Sequence, residues 1–259
     1  MTEPPAYPTS HGLLAGKRVL ITASAGVGIG FATARRCAEE GATVVLSDVH
    51  ERRLRESADE LETLTGAKPL AIPCDVTAEE EVQNLFDTAI EKLGPLDVVV
   101  CNAGLGGTKN LVDMTDDEWN VVLDVTLNGT MRCTRAALRH MIPRRSGVIV
   151  TNASVLGWRA QEGQAHYAAA KAGVMALTRT AAIEAAPHNV RVNAVSPSLA
   201  VHPFLTRVMS QDVLDSLVEQ EAFKRSAETW EVANVIVFLA SDYSSYMTGE
   251  IVSVSSQHP

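Results

Sequence analysis

Along the chain, short runs rich in β-branched residues alternate with longer stretches in which apolar positions recur every three or four residues. The short runs cover residues 18–22, 43–47, 70–73, 97–101, 147–152, 191–195 and 250–254, and their length and composition predict seven strands. The stretches between them predict helices. Residues 78–93 are typical: Val82, Leu85, Phe86, Ala89, Ile90 and Leu93 share one face, and Gly94 follows as a stop, as Gly41 does after an earlier helix over 31–40. Strands alternating with helices are the pattern of βαβ units, hence of an α/β fold with a parallel sheet. No internal repeat or shift in composition divides the chain. One domain is expected from about residue 12 to the end, preceded by a flexible, proline-containing arm over residues 1–11.

Composition narrows the partners more than the fold. The 259 residues are 46% hydrophobic and 20% charged, enough for one sizeable core, and no apolar run is long enough to span a bilayer, so no membrane insertion is expected. A formal charge of -9 argues against a nucleic-acid partner, whose phosphates call for a basic surface. The N-terminus has neither a basic start nor an apolar stretch, so it does not read as a secretory signal, and a cytoplasmic location is expected. Cys37, Cys74, Cys101 and Cys133 are scattered without a Cys-x-x-Cys pair, which suggests buried thiols in a reducing compartment and no metal site.

Two clusters carry candidate chemistry. Thr22-Ala23-Ser24-Ala25-Gly26-Val27-Gly28-Ile29-Gly30 lies between the first strand and the first helix. Glycines at that turn let the backbone and a helix N-terminus approach a pyrophosphate, although a plain tight turn has the same look. The second strand leads to Asp48, whose carboxylate can accept the hydroxyls of an adenosine ribose and repel a 2′-phosphate; this favours NAD, while Arg52 and Arg53 keep NADP open. Asp75, after the third strand, reads either as a helix cap or as an adenine contact. In the second cluster Tyr167 and Lys171 are four residues apart, on one face of a helix predicted over 163–186, with Ser154 thirteen residues upstream. A cation beside a phenol favours the phenolate and suits proton transfer near neutral pH, but such a pair is also an ordinary exposed helix pair.

Taken together, these motifs resemble the short-chain dehydrogenase/reductase family over essentially the whole chain from about Leu14 to Val254. The resemblance implies a Rossmann-type, doubly wound seven-stranded sheet with helices on both faces. It also implies a nicotinamide cofactor held by Ser24, Gly26, Gly28 and Ile29 of the loop, by Asp48, Asp75 and Val76, by Asn102-Ala103-Gly104, and by Tyr167, Lys171, Pro197 and His202. Ser154 would hold the substrate oxygen, Tyr167 would move its proton and Lys171 would bind the nicotinamide ribose, so that a secondary alcohol and a ketone interconvert without a metal. Long helices over 115–141 and 163–186 would pair across a two-fold axis in a homodimer or homotetramer.

Four stretches depart from the family pattern. The phosphate loop is one residue longer, so the first glycine falls on Ser24 or Ala23, with Gly26 available to supply the lost freedom. The family's relay Asn aligns with Thr126, which offers a hydroxyl in its place, and Asn128 sits two residues on. His202 stands where the family has a Thr facing the nicotinamide amide. The C-terminus lacks the usual Asp-Gly-Gly.

The substrate is the least legible part. Residues 199–223 fall where the family carries a lid, and Leu199, Val201, Phe204, Leu205, Val208 and Met209 make it apolar, as a bulky hydrophobic substrate requires or as a packed amphipathic helix would. Arg159, Lys109 and Arg207 are candidates for an anionic group such as a coenzyme A phosphate. The strings around Trp158, Ser198 and the C-terminus resemble a subgroup of bacterial steroid-ring breakdown acting on keto or hydroxy CoA thioesters. A 3-oxoacyl-thioester reductase and a hydroxysteroid dehydrogenase are the alternatives, and a dinucleotide-binding module without turnover is the alternative of another kind.

Overall fold

The computed structural model describes residues 3–200 and 211–256; His202, Arg207 and the rest of 201–210 lie outside the described residues. The apolar runs become β1 (Arg18–Ile21), β2 (Thr43–Asp48), β3 (Leu70–Pro73), β4 (Val98–Cys101), β5 (Gly147–Asn152), β6 (Val190–Pro197) and β7 (Ile251–Val254). They pair in parallel in the order β3-β2-β1-β4-β5-β6-β7, the seven-stranded doubly wound sheet that the alternation predicts. Continuous apolar strands fit this arrangement because helices cover both faces.

Alternate residues of each strand serve opposite cores. Val19, Ile21, Val44, Leu46, Val98 and Val100 pack under α1 (Ile29–Glu39), α2 (Glu51–Thr65) and the helix Thr229–Ala240, through Phe31, Leu54, Leu61, Val232 and Ile236. Leu20, Val45, Val99, Cys101, Ile149 and Val192 face α3 (Glu79–Leu93), α5 (Gly129–Arg144) and α6 (Ala165–Ala185), through Val82, Leu85, Phe86, Met141 and Ala182. Each fully buried aliphatic side chain contributes about 1.5–3 kcal/mol, so the central strands, with no exposed apolar residue in β1 or β4, hold the layers together. All four cysteines lie buried in these cores as free thiols, and burial pushes Cys37 and Cys74 up to about 12.

Between β4 and β5 the chain forms α4 (Asp116–Leu123), started by a capping box in which Thr115 and Glu118 serve each other's backbone N–H. The predicted continuous helix over 115–141 is interrupted by a π-helical turn, Asp124–Asn128, and α5 then runs on to Arg144. The helices α7 (Gln211–Gln220) and α8 (Thr229–Ala240) complete the described residues. None of their helices is long and apolar enough to cross a membrane.

The N-terminal arm, expected to be flexible, makes contacts with the domain from Tyr7 onward. The Tyr7 hydroxyl donates to Glu39 at 2.8 Å, its ring lies under the Arg35 guanidinium at 4.6 Å, and Trp230 of α8 meets it edge-on at 5.5 Å. The physical reason is Glu40, a fully buried carboxylate at the end of α1. It needs donors, and takes them from the N–H groups of His11 and Leu13 at 2.9 and 3.0 Å and from Arg36 at 2.6 Å. Arg36 in turn donates to Asn234 of α8 at 3.0 Å. Burial pushes the Glu40 carboxyl up, but the two N–H groups and Arg36 outweigh it and hold it below the usual range. A depressed folded pKa contributes stability above the unfolded value, about 4.3, that is lost as pH falls through the folded value. Glu40→Gln, which weakens the charge-assisted bonds from His11, Leu13 and Arg36 and leaves Arg36 paired with Glu39 alone, should cost about 2 kcal/mol at pH 7, and the gap to the wild type should narrow in acid. Equal urea midpoints at neutral pH would count against this account.

Candidate active site

The chain order reverses between β1 and β4, and the crevice this opens at the carboxyl ends of the strands leads into a cavity of about 1040 Å³. The strand ends are tied to one another by asparagines. Asn102, just past β4, donates through its side chain to the carbonyls of Thr22 and Ala23 at 3.2 and 3.0 Å, and its backbone N–H meets the Thr22 hydroxyl at 3.0 Å. Asn152, the last residue of β5, donates to the Asn102 carboxamide oxygen at 2.9 Å. The loop after β1 is therefore fastened across β4 to β5.

That loop absorbs its extra residue in the backbone. Ala23 takes a left-handed φ of 49°, where a glycine would be unstrained, and Gly26 takes 88°. Gly28 precedes α1 with no side-chain cap, so the helix N–H groups stay available, and a Cβ on Gly28 would meet nothing within 4 Å. Gly30 is fixed by contact: a Cβ there would lie 2.2 Å from the Ala23 carbonyl oxygen. Gly26, Gly28 and Ile29 line the cavity as expected, but Ser24 does not. It is fully buried: its hydroxyl bridges the Ser47 N–H and carbonyl at 3.0 and 3.2 Å, and its own N–H meets the same carbonyl at 3.0 Å.

Asp48 stands at the cavity wall, nearly buried, accepting from the N–H groups of Ala25 at 3.2 Å and His50 at 3.0 Å, with Arg53 3.9 Å away. Burial raises its pKa, opposed by the Ala25 N–H and Arg53. Asp75 and Val76 line the cavity too. Of the two readings of Asp75, the helix cap fails: α3 starts on Ala78 without a side-chain cap, and the Asp75 carboxylate accepts instead from the Thr77 N–H and hydroxyl at 2.9 and 2.8 Å. An open helix terminus, a glycine turn without Cβ atoms and a carboxylate at the end of β2 fit a nicotinamide dinucleotide.

At the other end of the cavity stand Ser154 and Tyr167, and the Lys171 ammonium lies 5.5 Å from the Tyr167 ring centroid. Ser154 caps a short turn, accepting from the Leu156 N–H at 3.2 Å, and Lys171 donates to the Asn152 carbonyl at 2.5 Å. Ala103, Gly104 and Pro197 border the same space. Burial governs both titrating groups. It pushes Tyr167 up to about 12, opposed by Ser154, and pulls Lys171 down to about 7. Burial, rather than the nearby ammonium, therefore sets the phenol in the chain alone, and it stays protonated at neutral pH.

The relay position also departs from expectation. The Thr126 hydroxyl accepts from the Leu105 N–H at 2.9 Å and donates to the Leu105 carbonyl at 3.1 Å, so its one proton is committed to holding the loop, and it is not among the residues lining this cavity. Asn128 points outward to Asp124 at 3.0 Å, despite the π-turn. Of the candidate anion contacts, Arg159 borders the cavity, and Lys109 pairs with Glu118 at 3.5 Å. Asn152 and Gln164 were not singled out from sequence. A polar residue ending a buried strand, and another just before a catalytic-looking Tyr, are the signals that point to them.

This combination defines a dinucleotide-binding oxidoreductase, and the comparisons agree: a family model described as enoyl-(acyl carrier protein) reductase matches residues 23–256, and the chain belongs to the short-chain dehydrogenase/reductase family. It is 61% identical over 250 residues to the (5R,7aS)-5-hydroxy-7a-methyl-1-oxo-2,3,5,6,7,7a-hexahydro-1H-indene-carboxyl-CoA reductase of Mycobacterium tuberculosis, covering 96% of this chain and 95% of that one. Its fold matches a short chain dehydrogenase from Mycobacterium smegmatis with a TM-score of 0.88 and 58% identity, over 99% of both chains. An NAD+-bound xylitol dehydrogenase is similar at a TM-score of 0.88 and 32% identity, over 94% of this chain and 99% of that one.

Proposed function

We propose that the protein reduces a ketone on a bulky alicyclic CoA thioester, using NADH. The observation that carries this reading is the Ser154–Tyr167–Lys171 group lining a cavity of about 1040 Å³ that also reaches Asp48, in a chain 61% identical to a reductase named for such a thioester. When bound, the nicotinamide supplies the hydride. Ser154 and Tyr167 hold the ketone oxygen between two hydroxyl donors, and the Tyr167 hydroxyl, protonated across the neutral range, gives its proton to that oxygen as charge develops on it. Lys171, fixed by the Asn152 carbonyl, places positive charge beneath the phenol and stabilises the phenolate left behind. Asp48 occupies the place of a ribose contact, where a second negative group is repelled. Exposed Ile183 on α6 supports association of the long helices in a homodimer or homotetramer.

Purified protein should oxidise NADH with a ring-keto CoA thioester, faster than with acetoacetyl-CoA or a free steroid ketone, and Asp48→Ala should erode a preference for NADH over NADPH at least tenfold. Turnover of acetoacetyl-CoA alone, or an unchanged cofactor ratio in the variant, would overturn the corresponding part. Because the folded pKa of Lys171 lies near 7, its charge is lost as pH rises, so kcat/KM for reduction should fall above about 7. Lys171→Met should be slow and should lack that limb; a profile shared by both proteins would assign the limb elsewhere. Light scattering at micromolar concentration should give a dimer or tetramer, and a monomer would refute the association.

A further inference from the structure

The wall of the cavity facing Tyr167 is residues 104–108, a segment with no regular structure and with Gly104, Gly106 and Gly107 among its five residues. Such a segment has almost no side chains with which to brace itself, so its place must be set from outside. One support is the Thr126 hydroxyl on Leu105, already described. The other is Gln164, at the start of α6, which is 3% exposed and borders the cavity. Its carboxamide donates to the Gly107 carbonyl at 2.8 Å and to the Thr108 hydroxyl at 3.2 Å, while the neighbouring Gly163 carbonyl accepts from the Lys109 N–H at 2.9 Å.

Two features show that this carboxamide serves the wall rather than the helix. Gln164 stands at the N-cap of α6, where Ser, Thr, Asp or Asn would cap the exposed N–H groups, yet it makes no side-chain cap bond. The wall it holds also lies against the reacting group: a Cβ on Gly106 would sit 3.5 Å from the Tyr167 ring, and one on Gly107 would sit 3.7 Å from His166 Nε2. His166 in turn accepts the Tyr167 N–H at 2.9 Å. Gln164 therefore ties residues 107 and 108 to the same helical turn that carries Tyr167, beside the Thr126 hydroxyl that holds Leu105 and the Gly163 carbonyl that holds Lys109.

We propose that Gln164 is a positioning residue that sets the width of the substrate channel between residues 106–108 and Tyr167, and so selects for the bulky ring of the substrate. This rests on the reading of the cavity end at Tyr167 as the ketone site, not on the identity of the thioester.

The test compares the wild type with Gln164→Leu and Gln164→Glu on two ketones, a fused-ring keto thioester and a small cyclic ketone, with NADH affinity and melting temperature measured in parallel. Losing both wall bonds should lower kcat/KM for the fused-ring ketone about tenfold through KM, as expected for one or two net hydrogen bonds, with a smaller effect on the small ketone. NADH affinity should not change. In Gln164→Glu an ionised carboxylate cannot donate to the Gly107 carbonyl but a protonated one can, so its selectivity should recover toward the wild type as pH falls, whereas Gln164→Leu should not. Equal losses on both ketones, a parallel fall in NADH affinity, or no acid recovery in Gln164→Glu would overturn the proposal. If the wild type reduces the small ketone but no fused-ring thioester, the substrate reading fails, and a Gln164→Leu effect on KM among cyclic ketones of graded size still decides the role of Gln164.

Discussion

The site depends on how a lysine ammonium is kept in place away from water. Lys171 is almost wholly buried and its nearest anchor is a main-chain carbonyl, that of Asn152 at the end of β5. A neutral carbonyl offsets only part of the desolvation cost, which is why the ammonium is so much easier to deprotonate than an exposed lysine. The position of that carbonyl is then decisive, and it is secured twice: by the β4–β5–β6 ladder, and by the carboxamide chain from Asn152 through Asn102 to Thr22 and Ala23. The cofactor loop and the proton-transfer group are thus parts of one hydrogen-bonded frame at the top of the sheet.

Much of this was legible in the chain. Strands such as β1 and β5 announce themselves because both faces are buried over runs such as Val19–Leu20–Ile21 and Val148–Ile149–Val150, and the reversal of strand order then dictates where the crevice opens. Tyr167 and Lys171 were found by helical spacing, and Asp48 by its place at a strand end. These are properties of local periodicity, and periodicity survives folding.

What was not legible depends on where single hydrogen bonds go. Thr126 looked like a relay because a hydroxyl replaces a carboxamide, but whether that proton is free is settled by Leu105, twenty-one residues away. Ser24 looked like a loop contact, yet the extra residue turns it onto Ser47 while Ala23 bears the left-handed backbone. The arm carries no apolar run that would mark an element; its attachment comes from Glu40, a buried carboxylate that draws backbone donors to itself. In each case the deciding partner is remote in sequence, and no pattern within a short window contains it.

The burial of all four cysteines has a practical side. With every native thiol inside the two cores, and those of Cys37, Cys74 and Cys133 held well above the ordinary thiol range, none offers a ready thiolate to an alkylating reagent. A cysteine introduced on the exposed face of α7 would be the preferred target for a maleimide dye without removal of the native ones. The surroundings of that helix could then be followed by fluorescence during turnover in a protein whose interior packing is left untouched.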